Sequence, residues 1–167
     1  GVPALPVTHW QLWNEVSSPS FWSRKPSAKQ YGKLLKLTAR TIRSLPATLV
    51  PSQEVFASTG GIHAAALYDT EGLLIANRED VGRHNALDKV VGWAFREGML
   101  PLEGHVLCVS GRASFELVQK AAVAGAPILV AVGAPSTLAV ELAGDRGITP
   151  CGFVRDGRLN VYSRPDR

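Results

Sequence analysis

The stretch that decides the fold runs Val106-Leu-Cys-Val-Ser-Gly-Arg-Ala-Ser-Phe-Glu-Leu-Val-Gln-Lys-Ala-Ala-Val-Ala-Gly-Ala-Pro-Ile-Leu-Val-Ala-Val132. Its two ends, 106–109 and 128–132, are short continuous apolar runs, as expected of strands covered on both faces. Between them Ala113 to Gly125 repeats apolar residues at helical spacing, with Phe115, Leu117, Val118, Ala121 and Ala122 expected inward and Glu116 paired with Lys120 at i,i+4. Strand, helix and strand of these lengths make a βαβ unit, two parallel neighbours joined by a right-handed crossover.

The same reasoning extends outward in both directions. After the second run, Ser136 is the N-cap of a helix from Thr137 to Gly144, Ile148 to Val154 is a further strand, and Arg158 to Tyr162 is an edge strand. Before the first run, a helix from about Gly82 to Glu97 turns Leu87, Val90, Val91, Ala94 and Phe95 to one side and stacks Asp88 one turn below His84. Ahead of that lies a hairpin, 62–68 and 73–76 about the turn Asp69-Thr-Glu-Gly72. The order predicts an α/β fold, a three-layer α/β/α sandwich with a mixed sheet and crossover helices on both faces.

Composition sets the outer limits. A chain of 167 residues and 17.9 kDa is the length of one domain, and 46% apolar residues, 19% charged residues and a mean hydropathy of +0.05 exclude wholesale disorder. Two cysteines, Cys108 and Cys151, exclude a disulfide scaffold and any Cys-x-x-Cys pair within this sequence, and both sit in apolar runs where a thiol is expected to be buried and inert. No zinc site is expected, since no second His or Cys stands at ligand spacing. No apolar run nears the roughly 20 residues of a spanning helix, and no charged-then-apolar leader opens the sequence, so a cytoplasmic location away from membranes is expected.

Charge divides the chain. Residues 1–44 hold seven Lys/Arg against one acid, while 45–167 hold 11 against 13, so the net +4 comes from the N-terminal quarter. That quarter also holds Trp10, Trp13 and Trp22 and a basic amphipathic helix over 28–43, packed by Tyr31, Leu34, Leu35 and Ile42. Without interleaved aromatics or a Gly-rich motif, its cations read as a solvated face, and no nucleic-acid partner is expected. The composition shift near Leu45-Pro46 separates an added segment, 1–44, from a domain over 45–167.

In such a sheet a ligand lies beyond the carboxyl ends of the parallel strands, where helix N-termini point free N–H groups outward. Three loops have that position: Arg78-Glu-Asp-Val-Gly-Arg-His-Asn85, Ser110-Gly-Arg-Ala-Ser114 and Gly133-Ala-Pro-Ser-Thr137, with the turn Ser58-Thr-Gly-Gly61 before the hairpin. The candidate binding residues are Gly60, Gly61, His63, Asp80, Gly82, Arg83, His84, Asn85, Asp88, Ser110, Gly111, Arg112, Pro135 and Ser136. Glycines allow close backbone approach and Arg83 and Arg112 can grip phosphate oxygens in pairs. Asp80, Asn85 and Asp88 can accept from the donors of a guanine-like edge. His63, mid-strand among alanines, also reads as a core histidine. The set suits a nucleotide-like ligand such as GDP, and no catalytic residue is assigned.

Thr59-Gly-Gly-Ile-His-Ala-Ala-Ala, Arg78-Glu-Asp-Val-Gly-Arg-His-Asn-Ala-Leu-Asp-Lys89, Ser110-Gly-Arg-Ala-Ser-Phe-Glu116 and Ala134-Pro-Ser-Thr-Leu-Ala-Val-Glu141 closely resemble the formate dehydrogenase accessory protein (FdhD) family over about 45–165. The resemblance implies a cytidine-deaminase-like sandwich and a cytoplasmic sulfurtransferase. Such a protein takes sulfur from a cysteine desulfurase and delivers it to the molybdenum cofactor, bis-molybdopterin guanine dinucleotide, of formate dehydrogenase. A homodimer is a candidate assembly. The family carries its sulfur on a Cys-x-x-Cys-Gly loop upstream of Gly-Gly-Ile-His, whereas this sequence has no cysteine before Cys108. The alternative expectation is therefore a non-catalytic module that binds the nucleotide or pterin dinucleotide. The opening His9-Trp-Gln-Leu-Trp-Asn-Glu15 resembles a fragment of barrel glycosidases, too short to build the barrel such an enzyme needs, so Glu15 is taken as inert.

Overall fold

The computed structural model describes residues 41–162. Residues 41–49 are helical (α1), and a 3-10 turn at Val50–Ser52 leads to α2 at Glu54–Thr59. There follow β1 His63–Asp69, β2 Leu74–Asp80, α3 Arg83–Arg96, β3 His105–Val109, α4 Phe115–Val123, β4 Ile128–Ala131, α5 Thr137–Arg146, β5 Thr149–Arg155 and β6 Arg158–Val161. One six-stranded sheet has the order β2-β1-β3-β4-β5-β6. β3 and β4 are adjacent and parallel, Cys108 opposite Val130, as the two apolar runs predict. The β4–β5 pair is also parallel, and the β1–β2, β1–β3 and β5–β6 pairs are antiparallel.

The layers differ from the sequence expectation in one respect. The crossover helices do not alternate between faces: α3, α4 and α5 bury Leu87, Val90, Leu117, Val118, Ala139 and Ala143 in a single cluster against Leu67, Leu107 and Leu129. The strand order β3-β4-β5 never reverses direction, so successive right-handed crossovers return over the same side. The other face, Ala66, Tyr68, Cys108, Val130, Cys151 and Val154, is covered by Ile42, Leu45 and Leu49 of α1. Tyr68 ties that layer down. Its hydroxyl donates to Leu45 O at 3.3 Å and accepts from Thr48 Oγ1 at 3.2 Å, and burial raises it to about 12.

Of the helix expected over 28–43, residues 28–40 lie outside the described residues. Its end does not fall at Arg43, because α1 continues through Pro46 to residue 49. α2 is likewise absent from the sequence reading, and its first N–H groups, Val55 N and Phe56 N, donate to the Glu79 carboxylate of β2 at 3.0 and 2.9 Å. β2 itself runs to Asp80, past the expected end at Ala76, since Asn77, Arg78 and Glu79 pair with Ala66, Ala65 and Ala64 on a sheet edge where polar side chains remain half exposed. Phe95 and Phe115, expected inward, are 70% and 37% exposed. Phe95 lies one step round α3 from Ala94, and Phe115 is the first residue of α4.

Candidate functional site

Because β1 is antiparallel to both its neighbours, the carboxyl ends of β2, β3, β4 and β5 and the start of β1 share one edge of the sheet. His63 and Asp80 face each other there in register. Ser110 continues the ladder past β3: its N donates to Ala64 O and its Oγ accepts from Ala64 N, both at 2.9 Å, so its hydroxyl is occupied in joining two strands. Gly60 caps α2 at φ 66° and, with Gly61, leads the chain into β1.

Beyond this edge a cleft of ≈ 200 Å³ is lined by Arg83, Arg112, Ala113, Ser114, Ala134, Pro135 and Ser136. Its walls are two loops tied together by Gly133 N to Gly111 O and Ser136 N to Ala113 O, both 3.0 Å. Glycine is required where they pass. A Cβ on Gly133 would stand 2.8 Å from Arg112 Cγ and 3.1 Å from Arg112 Cα. A Cβ on Gly111 would stand 3.4 Å from His63 Nδ1 and 3.6 Å from Arg83 Cδ, which places His63 and Arg83 around the same turn.

Donors border a cleft whose lining is otherwise mostly apolar. Gly82 and Ser114, the N-caps of α3 and α4, make no side-chain cap bond, whereas Ser136 Oγ accepts from Ala139 N at 3.2 Å at the start of α5. Arg83 Nε is buried with no hydrogen-bond partner among the described residues. One acid adjoins the site. The Glu116 carboxyl is held below its usual range by hydrogen bonds from its own backbone N–H and the Ser114 hydroxyl, with smaller help from the charges of His84 and Arg83. Two guanidinium groups beside one such acid, at helix starts, suit an anion with several oxygens.

Several expected residues lie elsewhere. Asp88 does not face the cleft set, and does not pair with His84: Lys120 Nζ reaches across from α4 to its two oxygens at 2.6 and 2.8 Å. Lys120 therefore pairs with Asp88 rather than Glu116. His84 Nε2 instead lies 3.2 Å from Ser114 Oγ and 3.7 Å from Glu116 Oε2. Asp80 is engaged by Lys89 at 2.6 Å, Gly82 N at 2.8 Å and Asn85 Nδ2 at 3.1 Å, bonds that lower its carboxyl to about 2. Asp80 and Asn85 thus fasten the entrance to α3, and the base-edge role expected for these two and Asp88 would require breaking internal pairs. Ala113, Ser114 and Ala134 line the cleft without having been singled out, their signal being only their place inside the loops. Cys108 and Cys151 are buried, and desolvation raises both thiols to about 12. Among the described residues no three His, Cys, Asp or Glu side chains could together hold a metal ion, and no helix is long and apolar enough to cross a membrane.

Comparison with known proteins identifies the family. The FdhD/NarQ family model matches residues 16–167. The chain is 56% identical over 131 residues to the sulfur carrier protein FdhD of Mycobacterium bovis, covering 78% of this chain and 48% of that protein. It is 49% identical over 141 residues to the sulfur carrier protein FdhD of Thermoplasma acidophilum, covering 83% and 50%. It thus spans about half the length of the curated relatives it matches. A crystal structure described as a formate dehydrogenase accessory protein from Desulfotalea psychrophila superposes with a TM-score of 0.69 at 32% identity, over 77% of this chain and 57% of that one. On the extent of the family match and these identities, the chain belongs to the FdhD/NarQ family.

Proposed function

We propose that this chain is the nucleotide- and pterin-binding part of a cytoplasmic sulfur carrier that serves formate dehydrogenase maturation. In this reading a cysteine desulfurase supplies the sulfur, formate dehydrogenase is the client, and bis-molybdopterin guanine dinucleotide is the cargo, with GDP as a minimal ligand carrying the same diphosphate. Family membership supports the role, and one arrangement carries the binding part: Arg83, Arg112 and the helix starts around the cleft. The residues fit a diphosphate. A buried guanidinium N–H without a partner is what a phosphate oxygen satisfies, and N–H groups opening α4 and α5 meet the remaining oxygens. Arg83 and Arg112 hold and orient the diphosphate, and Gly111 and Gly133 let their loops pack closely against these two side chains. Cys108 and Cys151, whose burial keeps them as thiols, do not carry the sulfur.

Calorimetric titration with GDP tests the reading. Arg112→Ala is expected to weaken binding by about one to two orders of magnitude, the size of a charge-assisted contact. A parent protein that does not bind GDP, or an Arg112→Ala protein that binds it equally well, would overturn it. The homodimer belongs to the same proposal, and a solution mass equal to one chain removes it.

A further inference from the structure

One imidazole stands where the starts of two helices meet beside the cleft. His84, in the first turn of α3, has its Nε2 3.2 Å from Oγ of cleft-lining Ser114 and 3.7 Å from Oε2 of Glu116 in the first turn of α4. The Ser114 hydroxyl gives its own hydrogen to the Glu116 carboxylate. Both oxygens therefore act as acceptors toward Nε2, which keeps a proton on that nitrogen and leaves Nδ1 to titrate. With 37% of the side chain exposed, the imidazole exchanges protons with solvent. Asp80 on β2 is closed by Lys89, and Asp88 on α3 by Lys120 of α4, so neither pair adds net charge here. What acts on His84 is the Glu116 carboxylate, which attracts an imidazolium, against the guanidinium groups of Arg83 and Arg112, which repel one. His63 on β1, packed against Gly111, is the other imidazole near the cleft.

We propose that the cleft takes up its diphosphate together with a proton on His84. The inference rests on the cleft reading above and adds the protonation state in which the ligand is held. A diphosphate on Arg83, Arg112 and the start of α4 neutralises the two charges that repel an imidazolium and brings negative charge of its own to Ser114. The bound state then favours the proton, which comes from solvent. Linkage makes the effect reciprocal, so a proton on His84 strengthens ligand binding by the same factor. Because an imidazole changes charge between about pH 5 and 8, affinity rises as the pH falls through that interval and the ligand is released more readily as it rises.

The test is calorimetric titration of the parent and His84→Gln proteins with GDP, in buffers of different ionisation enthalpy, at about pH 5.5 and about pH 8. Protons bound or released by GDP itself cancel in the difference between the two proteins. The ratio of parent to variant affinity is expected to be about tenfold larger at the lower pH, within the usual range of coupling between two sites. Near neutral pH the parent should take up more protons per GDP than the variant does. If the His84→Gln protein fails to fold, the Cε1–H resonance of His84 in the parent decides the matter, and it should move toward its protonated position as GDP is added near neutral pH. An affinity ratio that is the same at both pH values, equal proton uptake by the two proteins, which assigns any proton to His63 or elsewhere, or a His84 resonance that GDP leaves in place overturns the coupling and spares the cleft. A parent protein that binds GDP at neither pH overturns the cleft reading and the coupling with it.

Discussion

Lys120 Nζ holds both carboxylate oxygens of Asp88, at 2.6 and 2.8 Å, so that α3 and α4 are joined by an ion pair across the helix layer. Asp88 is half exposed, and pairs of this kind contribute little, about 0–1 kcal/mol. Asp88→Asn should therefore lower stability by less than about 1 kcal/mol and leave GDP affinity unchanged, as read by urea unfolding and calorimetry. A large loss of GDP affinity would return Asp88 to the ligand.

Gly133 and Arg112 are in closer contact than any side chain permits. Gly133→Ala must displace Arg112, whose Cα and N would stand 3.1 and 3.2 Å from the new Cβ. Overpacking of this sort costs about 1–3 kcal/mol. The thermal midpoint should fall and the affinity for pyrophosphate should fall with it, because the displaced backbone carries the Arg112 guanidinium away from the cleft.

Leu45 measures how firmly α1 belongs to the domain. It is 1% exposed beneath the sheet face that holds Cys108 and Cys151. Leu45→Ala should cost about 2–5 kcal/mol, as buried leucines do, in urea unfolding. A loss below about 1 kcal/mol would mean that α1 packs loosely.

The parts of the fold that sequence made legible are those in which one periodicity has one cause. Apolar runs at 106–109 and 128–132 could only be strands covered on both sides, and Leu117, Val118, Ala121 and Ala122 lie on the buried face of α4 that their spacing marks. Pro46 hid the continuation of α1, since a proline near a composition shift reads as a stop although the helix passes through it. The polar second half of β2 hid its strand character for a different reason: on an edge, pairing with β1 decides, and alternation is weak. That all three crossover helices share one face depends on strand order, which periodicity does not encode. In the site, the loops were legible from glycine and arginine placement, whereas Asp88 and Lys120 are 32 residues apart and their pairing arises only when two helices pack.

Burial should keep both thiols silent. With Cys108 and Cys151 raised to about 12, the thiolate is scarce near neutral pH. Incubation with a desulfurase and cysteine should give no persulfide adduct, about 32 Da for one sulfur atom, on either residue, and alkylation should be fast only in denaturant. An adduct on either residue in the native protein, read by mass spectrometry, would contradict this.

Acid should expose the Asp80 anchor. Its carboxyl is lowered to about 2 by the Lys89 bond first, then the Gly82 N–H and the Asn85 amide. A lowered folded value stabilises the fold above the ordinary aspartate value, near about 3.9, and that contribution is lost as pH falls toward 2. Asp80→Asn should remove this pH dependence, so that parent and variant converge in stability between about pH 4 and pH 2. Parallel curves over that interval would contradict the assignment.

The central claim, that a diphosphate sits between Arg83, Arg112 and the helix starts, is tested most directly by following the Arg83 Nε–Hε resonance in nitrogen–proton NMR while inorganic pyrophosphate is added. That N–H is buried and has no partner among the described residues. It should shift downfield on binding, together with the amides of Ser114, Phe115 and Thr137, in a saturable way, while Arg158 on β6 stays unmoved. Saturable binding that shifts β6 or α2 and leaves Arg83 Nε–Hε in place would contradict the claim.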